Sequence, residues 1–109
     1  MVTLPRRFDI WLVNLDPTGD SEIAKTRPCV VVSPDAANRF LRTVLVAPLT
    51  HTAKRYPTRV DSQFQQQPGQ VALDQIRAVD TVRLVKRLGQ LDETTGRAVC
   101  AVLGEMFAW

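Results

Sequence analysis

Phe8-Asp9-Ile10-Trp11-Leu12-Val13-Asn14-Leu15 runs directly into Asp16-Pro17-Thr18-Gly19-Asp20, and this junction sets the architecture. The first run is rich in strand formers and partly alternates apolar with polar. The second is dense in turn residues, so the strand ends there and a loop carries the chain to about Thr26. Pro28 reads as the opening of the next strand, where its missing N–H does least harm. Cys29 to Ser33 is then a short β-branched run suited to a central strand. Working outward, Ser33-Pro34-Asp35 can start a short helix through Ala36 to Phe40, and Thr43 to Ala47 reads as a third strand ended by Pro48.

The second half follows the same rhythm. Residues 50 to 57 read as a polar loop, with a short strand near Thr58 to Asp61. Ser62 to Gln70 is glutamine-rich and contains Pro68-Gly69, which reads as a mobile loop. Val71 to Leu73, Ile76 to Val79 and Leu84 to Leu91 are further strand pieces. Asp92 is a good N-cap for a helix from Glu93 to Met106. Helical spacing puts Ala98, Val99, Val102, Leu103 and Met106 on one face. About six short strands and one strong helix leave too few crossovers for parallel βαβ units. The expected fold is a small, mainly antiparallel, barrel-like sheet closed by the C-terminal helix, with residues 1–109 forming one domain and residues 1–7 a flexible, solvated arm.

Composition narrows the function classes. A chain of 109 residues that is 45% hydrophobic can bury a core, but a core this small gains from pairing with a second copy. No stretch approaches the ~20 apolar residues of a membrane span. Met-Val-Thr-Leu-Pro-Arg-Arg has no apolar segment behind it and is not a secretory signal, so a cytoplasmic protein is expected. Cys29 and Cys100 sit in apolar runs and read as two buried thiols, not a disulfide. One histidine and no CxxC leave too few ligands for a protein-built zinc site, so no metal or other cofactor is expected. The net charge of +3 suits a polyanionic partner without requiring one. Lys54, Arg55 and Arg59 cluster around Tyr56, while Arg83, Lys86 and Arg87 form a second group. Either can contact phosphate or serve as a solvated face.

Four segments, in order, resemble the MazF/PemK family of toxins, which is related in fold to CcdB. They are Asp9-Ile10-Trp11-Leu12-Val13-Asn14-Leu15-Asp16-Pro17; Gly19 and Glu22 with Arg27-Pro28 leading into Cys29-Val30-Val31-Val32-Ser33; Val44-Leu45-Val46-Ala47-Pro48-Leu49-Thr50; and Val71-Ala72-Leu73-Asp74-Gln75-Ile76-Arg77. Gly89-Gln90-Leu91 and the final helix also fit, so the resemblance covers roughly residues 8 to 106. It implies an SH3-like barrel that dimerises and a metal-independent endoribonuclease cutting single-stranded RNA at short motifs. It also implies a cognate antitoxin whose disordered, acidic tail crosses the RNA groove.

The resemblance gives individual residues their roles. Arg27 matches the Arg-Pro motif; its planar, permanently charged fork suits phosphate oxygens, against the plainer reading of a surface ion pair. Thr50 matches the Pro-x-Thr position, where a hydroxyl can bond a phosphate oxygen or the 2′-OH; otherwise it is a strand-end residue or a cap for the next loop. Glu22 is a base, an orienter of Arg27, or a solvated loop glutamate. Asp74, Gln75 and Arg77 match an Asp-Gln-x-Arg/Lys segment. Asp74 is set to take base edges or an arginine of a second subunit, Gln75 to be structural and buried, and Arg77 to hold phosphate. Lys25, Lys54, Arg55 and Tyr56 complete the substrate-binding set; Tyr56, among Lys54, Arg55 and Arg59, is a better base-stacking candidate than Trp11, or equally a plain surface tyrosine.

Several positions depart from the family pattern. Ser21 and Ala72 stand where some PemK-like members have a histidine and an arginine, so the proton-transfer roles of that branch do not carry over. Phe8 replaces a glycine common before the first-strand aspartate, and reads as a packing change. His51 follows Thr50 and reads as a surface residue pointing away from it. Trp11 reads as core or dimer interface. Two rivals remain: a CcdB-like gyrase poison, suggested faintly by the tail Phe107-Ala108-Trp109, which could equally seal the barrel, and a non-catalytic relative that only binds RNA or antitoxin.

Overall fold

Seven antiparallel strands and two helices carry residues 4–15 and 26–109, the parts of the chain that the computed structural model describes. The strands are β1 (Asp9–Asn14), β2 (Thr26–Val31), β3 (Thr43–Thr50), β4 (Arg59–Phe64), β5 (Gln67–Ala72), β6 (Arg77–Asp80) and β7 (Leu84–Gln90). Helix α1 is Asp35–Asn38 and α2 is Glu93–Met106, while a 3-10 turn at Leu73–Gln75 joins β5 to β6. The sheet order is β4-β5-β3-β2-β1-β7, with β6 beside the first half of β3. The expected mainly β, antiparallel barrel with a C-terminal helix is what forms. It is a curled half-barrel whose ends, β4 and β7, are separate in the strand order, with α2 packed beside β4.

Both faces of the central strands are buried, which is why β2 reads as a continuous apolar run. One face carries Ile10, Val30, Ala47, Leu49, Val60, Val71 and Leu73 and packs on Val99 of α2, with Val102, Leu103 and Met106 partly buried there. The other carries Trp11, Val13, Cys29, Val31, Val44, Val46 and Val79. Trp11 belongs to this second core, and its indole Nε1 donates to buried Asp9 Oδ2 at 3.3 Å. Helix α2 starts where expected, with Asp92 Oδ1 accepting the Thr95 N–H at 2.9 Å. Hydrogen bonding from the Thr95 side chain first, and from this N–H second, holds the Asp92 carboxyl below its ordinary value.

Several expectations need correction. Strand β2 begins at Thr26, so Arg27 and Pro28 lie inside it, paired with Val13 and Leu12. The β2–β3 ladder starts only at Cys29, so Pro28 has a strand partner on one side alone, where a missing N–H is tolerated. Strand β3 does not stop at Pro48 but runs on to Thr50. Residues 62 to 70 are no loop: β4 and β5 form a hairpin there, turning at Gln65 and Gln66 with φ of 52° and 65°. Two successive positive φ values are what a two-residue turn between twisted strands requires, and Asn-Gly would have signalled it where Gln-Gln does not. Ala98 is exposed and does not share the core-facing stripe of α2. Phe107 and Trp109 are exposed as well, so neither seals the barrel. Cys29 is a buried free thiol, whereas Cys100 is only half-buried.

Ahead of β1 the chain is held. Pro5 is buried, the Arg7 N–H donates to Asp35 Oδ1 at 2.7 Å, and the Arg6 guanidinium lies 3.8 Å from Asp35 Oδ2. Phe8 follows with φ of 70°, in the left-handed region that disfavours side chains, so its place in a glycine position is more than a packing change. The strained backbone is fixed from both sides, by Phe8 N–H to the Val31 carbonyl at 2.7 Å and by Leu91 N–H to the Phe8 carbonyl at 2.9 Å. Its ring lies over Gly96 of α2, where a Cβ would sit 2.9 Å from two ring carbons.

Candidate functional site

Strand register gathers the polar groups on the face turned away from α2. Cys29 pairs with Pro48, and Val31 with Val46. On the other side of β3, Thr50 pairs with Gln70, and Gln70 with Asp61. Side chains directly opposite one another share a face. Asp61, Gln70 and Thr50 therefore form one row across three strands, and Arg27 lies just beyond the end of the β2–β3 ladder on the same face. Arg77 pairs with Val46, two steps along β3 on the same face.

Cys29 lies on the same sheet face as both arginines. Burial pushes its thiol up to about 12, and the positive fields of Arg27 and Arg77 both pull the other way. Both guanidinium groups therefore act within electrostatic reach of one buried atom. Arg27 Nη2 also reaches across to the Leu49 carbonyl, at 3.4 Å, which holds the fork against β3 beside Thr50. Arg27 has no acid partner among the described ion pairs. Thr50 Oγ1 accepts the Thr52 N–H at 3.1 Å, the cap-like role weighed from sequence; its own O–H remains able to donate.

The β3–β4 loop, residues 51–58, lies beside this row. Lys54 and Arg55 are exposed, as is Tyr56. The Arg59 guanidinium sits 5.2 Å from the Tyr56 ring centroid and bridges to Asp74, Nε to Oδ1 at 2.7 Å and Nη2 to Oδ2 at 3.3 Å. Thr58 Oγ1 donates to the same carboxylate at 3.1 Å. The Arg59 hydrogen bond, opposed by burial and helped by Thr58, holds the Asp74 carboxyl below its ordinary range. Asp74 thus pairs with an arginine of its own chain. Arg59 stands directly across from Ala72, the position that departs from the family pattern.

Not every expected residue joins the group. Gln75 is exposed, not buried, because the 3-10 turn at Leu73–Gln75 buries Leu73 and turns Gln75 outward. His51 is exposed, and its Nδ1 lies 3.3 Å from the Pro68 carbonyl. Glu22, Lys25 and Ser21 lie outside the described residues. Among those described, no three His, Cys, Asp or Glu side chains cluster as a metal site, and no helix is long and apolar enough to cross a membrane. Gln70 and Asp61 are not singled out from sequence because residues 62 to 70 read as a loop, so the short strand near Thr58 to Asp61 has no visible partner.

A sheet face with two arginines, a hydroxyl and a basic, aromatic loop suits a polyanion. Residues 6–107 match the family described as the PemK-like, MazF-like toxin of type II toxin-antitoxin systems. The chain belongs to this family. It is 36% identical over 107 residues to the probable endoribonuclease MazF5 of Mycobacterium tuberculosis, covering 94% of this chain and 93% of that one. It is 37% identical over 94 residues to the endoribonuclease PemK of Escherichia coli, covering 81% and 71% of the two chains. Among solved structures, the MazE–MazF complex of Deinococcus radiodurans superposes with a TM-score of 0.80 at 26% identity, covering 98% of each chain. Both Arg27-Pro28 and Pro48-Leu49-Thr50 lie within the residues that match the family.

Proposed function

We propose that this chain is the toxin of a type II toxin-antitoxin pair and an endoribonuclease that cuts single-stranded RNA without a metal. The observation that carries this reading is the reach of the Arg27 guanidinium to the Leu49 carbonyl beside Thr50, with Arg77 on the same sheet face. The endoribonuclease relatives supply the reaction class. In the reaction the RNA 2′-oxygen bonds to the adjacent phosphorus and the P–O5′ bond breaks. The 2′-OH proton leaves to a base, and the departing 5′-oxygen takes up a proton. The products are a 2′,3′-cyclic phosphate and a 5′-OH end.

Each residue has a task matched to its chemistry. Arg27 neutralises the charge that builds on the phosphorane oxygens, which is worth most when the donor is already held in place, as the Leu49 carbonyl holds this one. Thr50 donates to a phosphate oxygen or orients the 2′-OH. Glu22 serves as the base or orients Arg27. Arg77, Lys54 and Arg55 follow the RNA backbone, while Tyr56 offers a ring for an unstacked base. Asp74 acts through Arg59 as well as on base edges, and Gln75, being exposed, is free to contact a base. The chain acts as one domain in the cytoplasm, paired with a second copy, and is inhibited by an antitoxin whose acidic, disordered tail competes for the same cationic face. The gyrase-poison and binding-only readings are disfavoured because the relatives are endoribonucleases.

The test is a long single-stranded RNA incubated in EDTA with the wild type and with Arg27→Ala, followed by mapping of the ends. Discrete cuts leaving 5′-OH ends are expected, with the rate falling by about 10²–10³ in the variant, as for loss of one oxyanion donor. Intact RNA across several unrelated sequences would remove the catalytic reading.

A further inference from the structure

Gln70 is only 8% exposed although it sits on the polar face, because the β3–β4 loop folds over it. Both ends of its carboxamide are engaged. Oε1 accepts the Lys54 N–H at 3.0 Å, while Nε2 donates to the Lys54 carbonyl at 3.1 Å and to Asp61 Oδ1 at 3.1 Å. A side-chain amide that meets both backbone groups of one residue mimics a strand partner, and it fixes that residue in position and in rotation. Lys54 lies in the loop that carries Arg55 and Tyr56, and it is the loop residue so clamped. The other end of the clamp is equally defined. Gln70 pairs with Thr50 in the β3–β5 ladder, and its neighbour Gly69 presses so closely on the Thr50 carbonyl that a Cβ would lie 2.8 Å from that oxygen. Asp61, the cross-strand partner, holds the amide in the orientation in which Nε2 faces the Lys54 carbonyl.

We infer that Gln70 is the positioning residue that ties the RNA-gripping β3–β4 loop to the strand bearing Thr50. It touches no substrate. It holds the loop backbone so that the Lys54 and Arg55 side chains and the Tyr56 ring stand beside Arg27 and Thr50, ready for the phosphates flanking the cut. This assignment rests on the proposed RNA cleavage. It differs from that proposal in what it predicts, because Gln70 governs RNA binding and leaves the chemical step at Thr50 nearly untouched.

The test uses the full-length protein. Gln70→Ala removes all three bonds. Gln70→Glu keeps an acceptor for the Lys54 N–H but loses both donors and sets a carboxylate against Asp61. For Gln70→Ala, a KM for RNA raised about tenfold is expected, with kcat within about threefold of wild type. The salt dependence of binding should also flatten, since a single-stranded site loses a log–log slope of ~0.7 for each phosphate contact given up. The decisive comparison is with the double variant Lys54→Ala/Arg55→Ala. It should weaken wild-type binding yet add little in the Gln70→Ala background, because the loop is already displaced. Full additivity would overturn the assignment, as would an equal loss in kcat. A second measurement is independent of RNA: the Lys54 amide should be protected from hydrogen exchange in wild type and lose that protection in Gln70→Ala, with core amides such as Val30 unchanged. An unprotected Lys54 amide in wild type would also overturn it. If the wild type cleaves no RNA while the exchange result holds, the functional reading fails and the anchor stands.

Discussion

Replacing Gly96 with alanine should destabilise this protein, although the same change in an ordinary exposed helix stabilises. Glycine inside a helix costs ~1 kcal/mol relative to alanine, so the intrinsic term favours the substitution. Here the new methyl would lie 2.9 Å from Cδ2 and Cε2 of Phe8. Carbon atoms prefer separations of about 3.5–4.0 Å, so the ring or the helix must move by roughly 0.6–1 Å. The ring cannot retreat by backbone adjustment, because Phe8 is pinned to Val31 and Leu91 by two hydrogen bonds while already at φ 70°. Overpacking of this kind costs about 1–3 kcal/mol, so the net change runs from about zero to 2 kcal/mol destabilising. The sign should reverse once the ring is gone. In a Phe8→Ala background, Gly96→Ala should stabilise by ~1 kcal/mol, a coupling of about 1–3 kcal/mol across the cycle. Urea unfolding followed by Trp11 fluorescence at fixed protein concentration gives all four values. Equal stabilisation by Gly96→Ala in both backgrounds would refute the contact. Phe8→Gly adds a control on the backbone: at this φ it should be more stable than Phe8→Ala by ~1 kcal/mol.

Further outcomes follow from the same geometry. With its thiol pushed up to about 12, Cys29 should resist iodoacetamide at pH 8 in the folded protein while half-buried Cys100 reacts, as peptide mapping would show; equal labelling would contradict the burial. Because that value lies above the ordinary 9.0, the folded state keeps a proton that the unfolded chain releases, and stability from this group is lost as pH rises from 9.0 towards 12. Asp74 has the opposite sign. Its folded carboxyl lies below the ordinary 3.8, so its contribution is present above 3.8 and fades as pH falls through the folded value. Asp74→Asn should therefore lower the melting temperature at neutral pH, with the gap to wild type closing in strong acid; a gap independent of pH would argue against the Arg59 bridge. At the hairpin tip, Gln65→Asn with Gln66→Gly should stabilise by about 1 kcal/mol or more, because both positions hold positive φ; a loss measured by urea unfolding would contradict the two-residue turn.

Much of the fold was legible because burial writes itself into periodicity. The run Cys29 to Val32, buried on both faces, reads as a central strand, and the Asp92 cap with the spacing of Val99, Val102, Leu103 and Met106 reads as a helix. The turn that joins β4 to β5 was illegible for a physical reason, although pieces of both strands read as strand at Thr58 to Asp61 and Val71 to Leu73. It is made by Gln65 and Gln66, which carry no local preference for positive φ, and the outer strand is half solvent-facing and polar. Tertiary pairing overrides propensity there. Among the proposed site residues, Arg27 and Thr50 stand out in the sequence because motif and strand coincide there. The Asp74–Arg59 bridge joins the 3-10 turn after β5 to the start of β4, and the Gln70 clamp depends on a loop returning over its own sheet. No local pattern encodes either contact. Even the strain at Phe8 shows in sequence only as an unusual residue, since its compensation lies at Gly96, far along the chain.

The most direct test of the central claim is a matched pair of RNA oligonucleotides spanning one mapped cut, one all-ribose and one with a single 2′-deoxynucleotide on the 5′ side of the scissile phosphate. Both should bind the wild-type protein with similar affinity in EDTA, and only the all-ribose strand should be cut, leaving a 2′,3′-cyclic phosphate. Cleavage of the deoxy-substituted strand at the same bond would mean that the 2′-oxygen is not the nucleophile, and the roles assigned to Arg27 and Thr50 would be wrong.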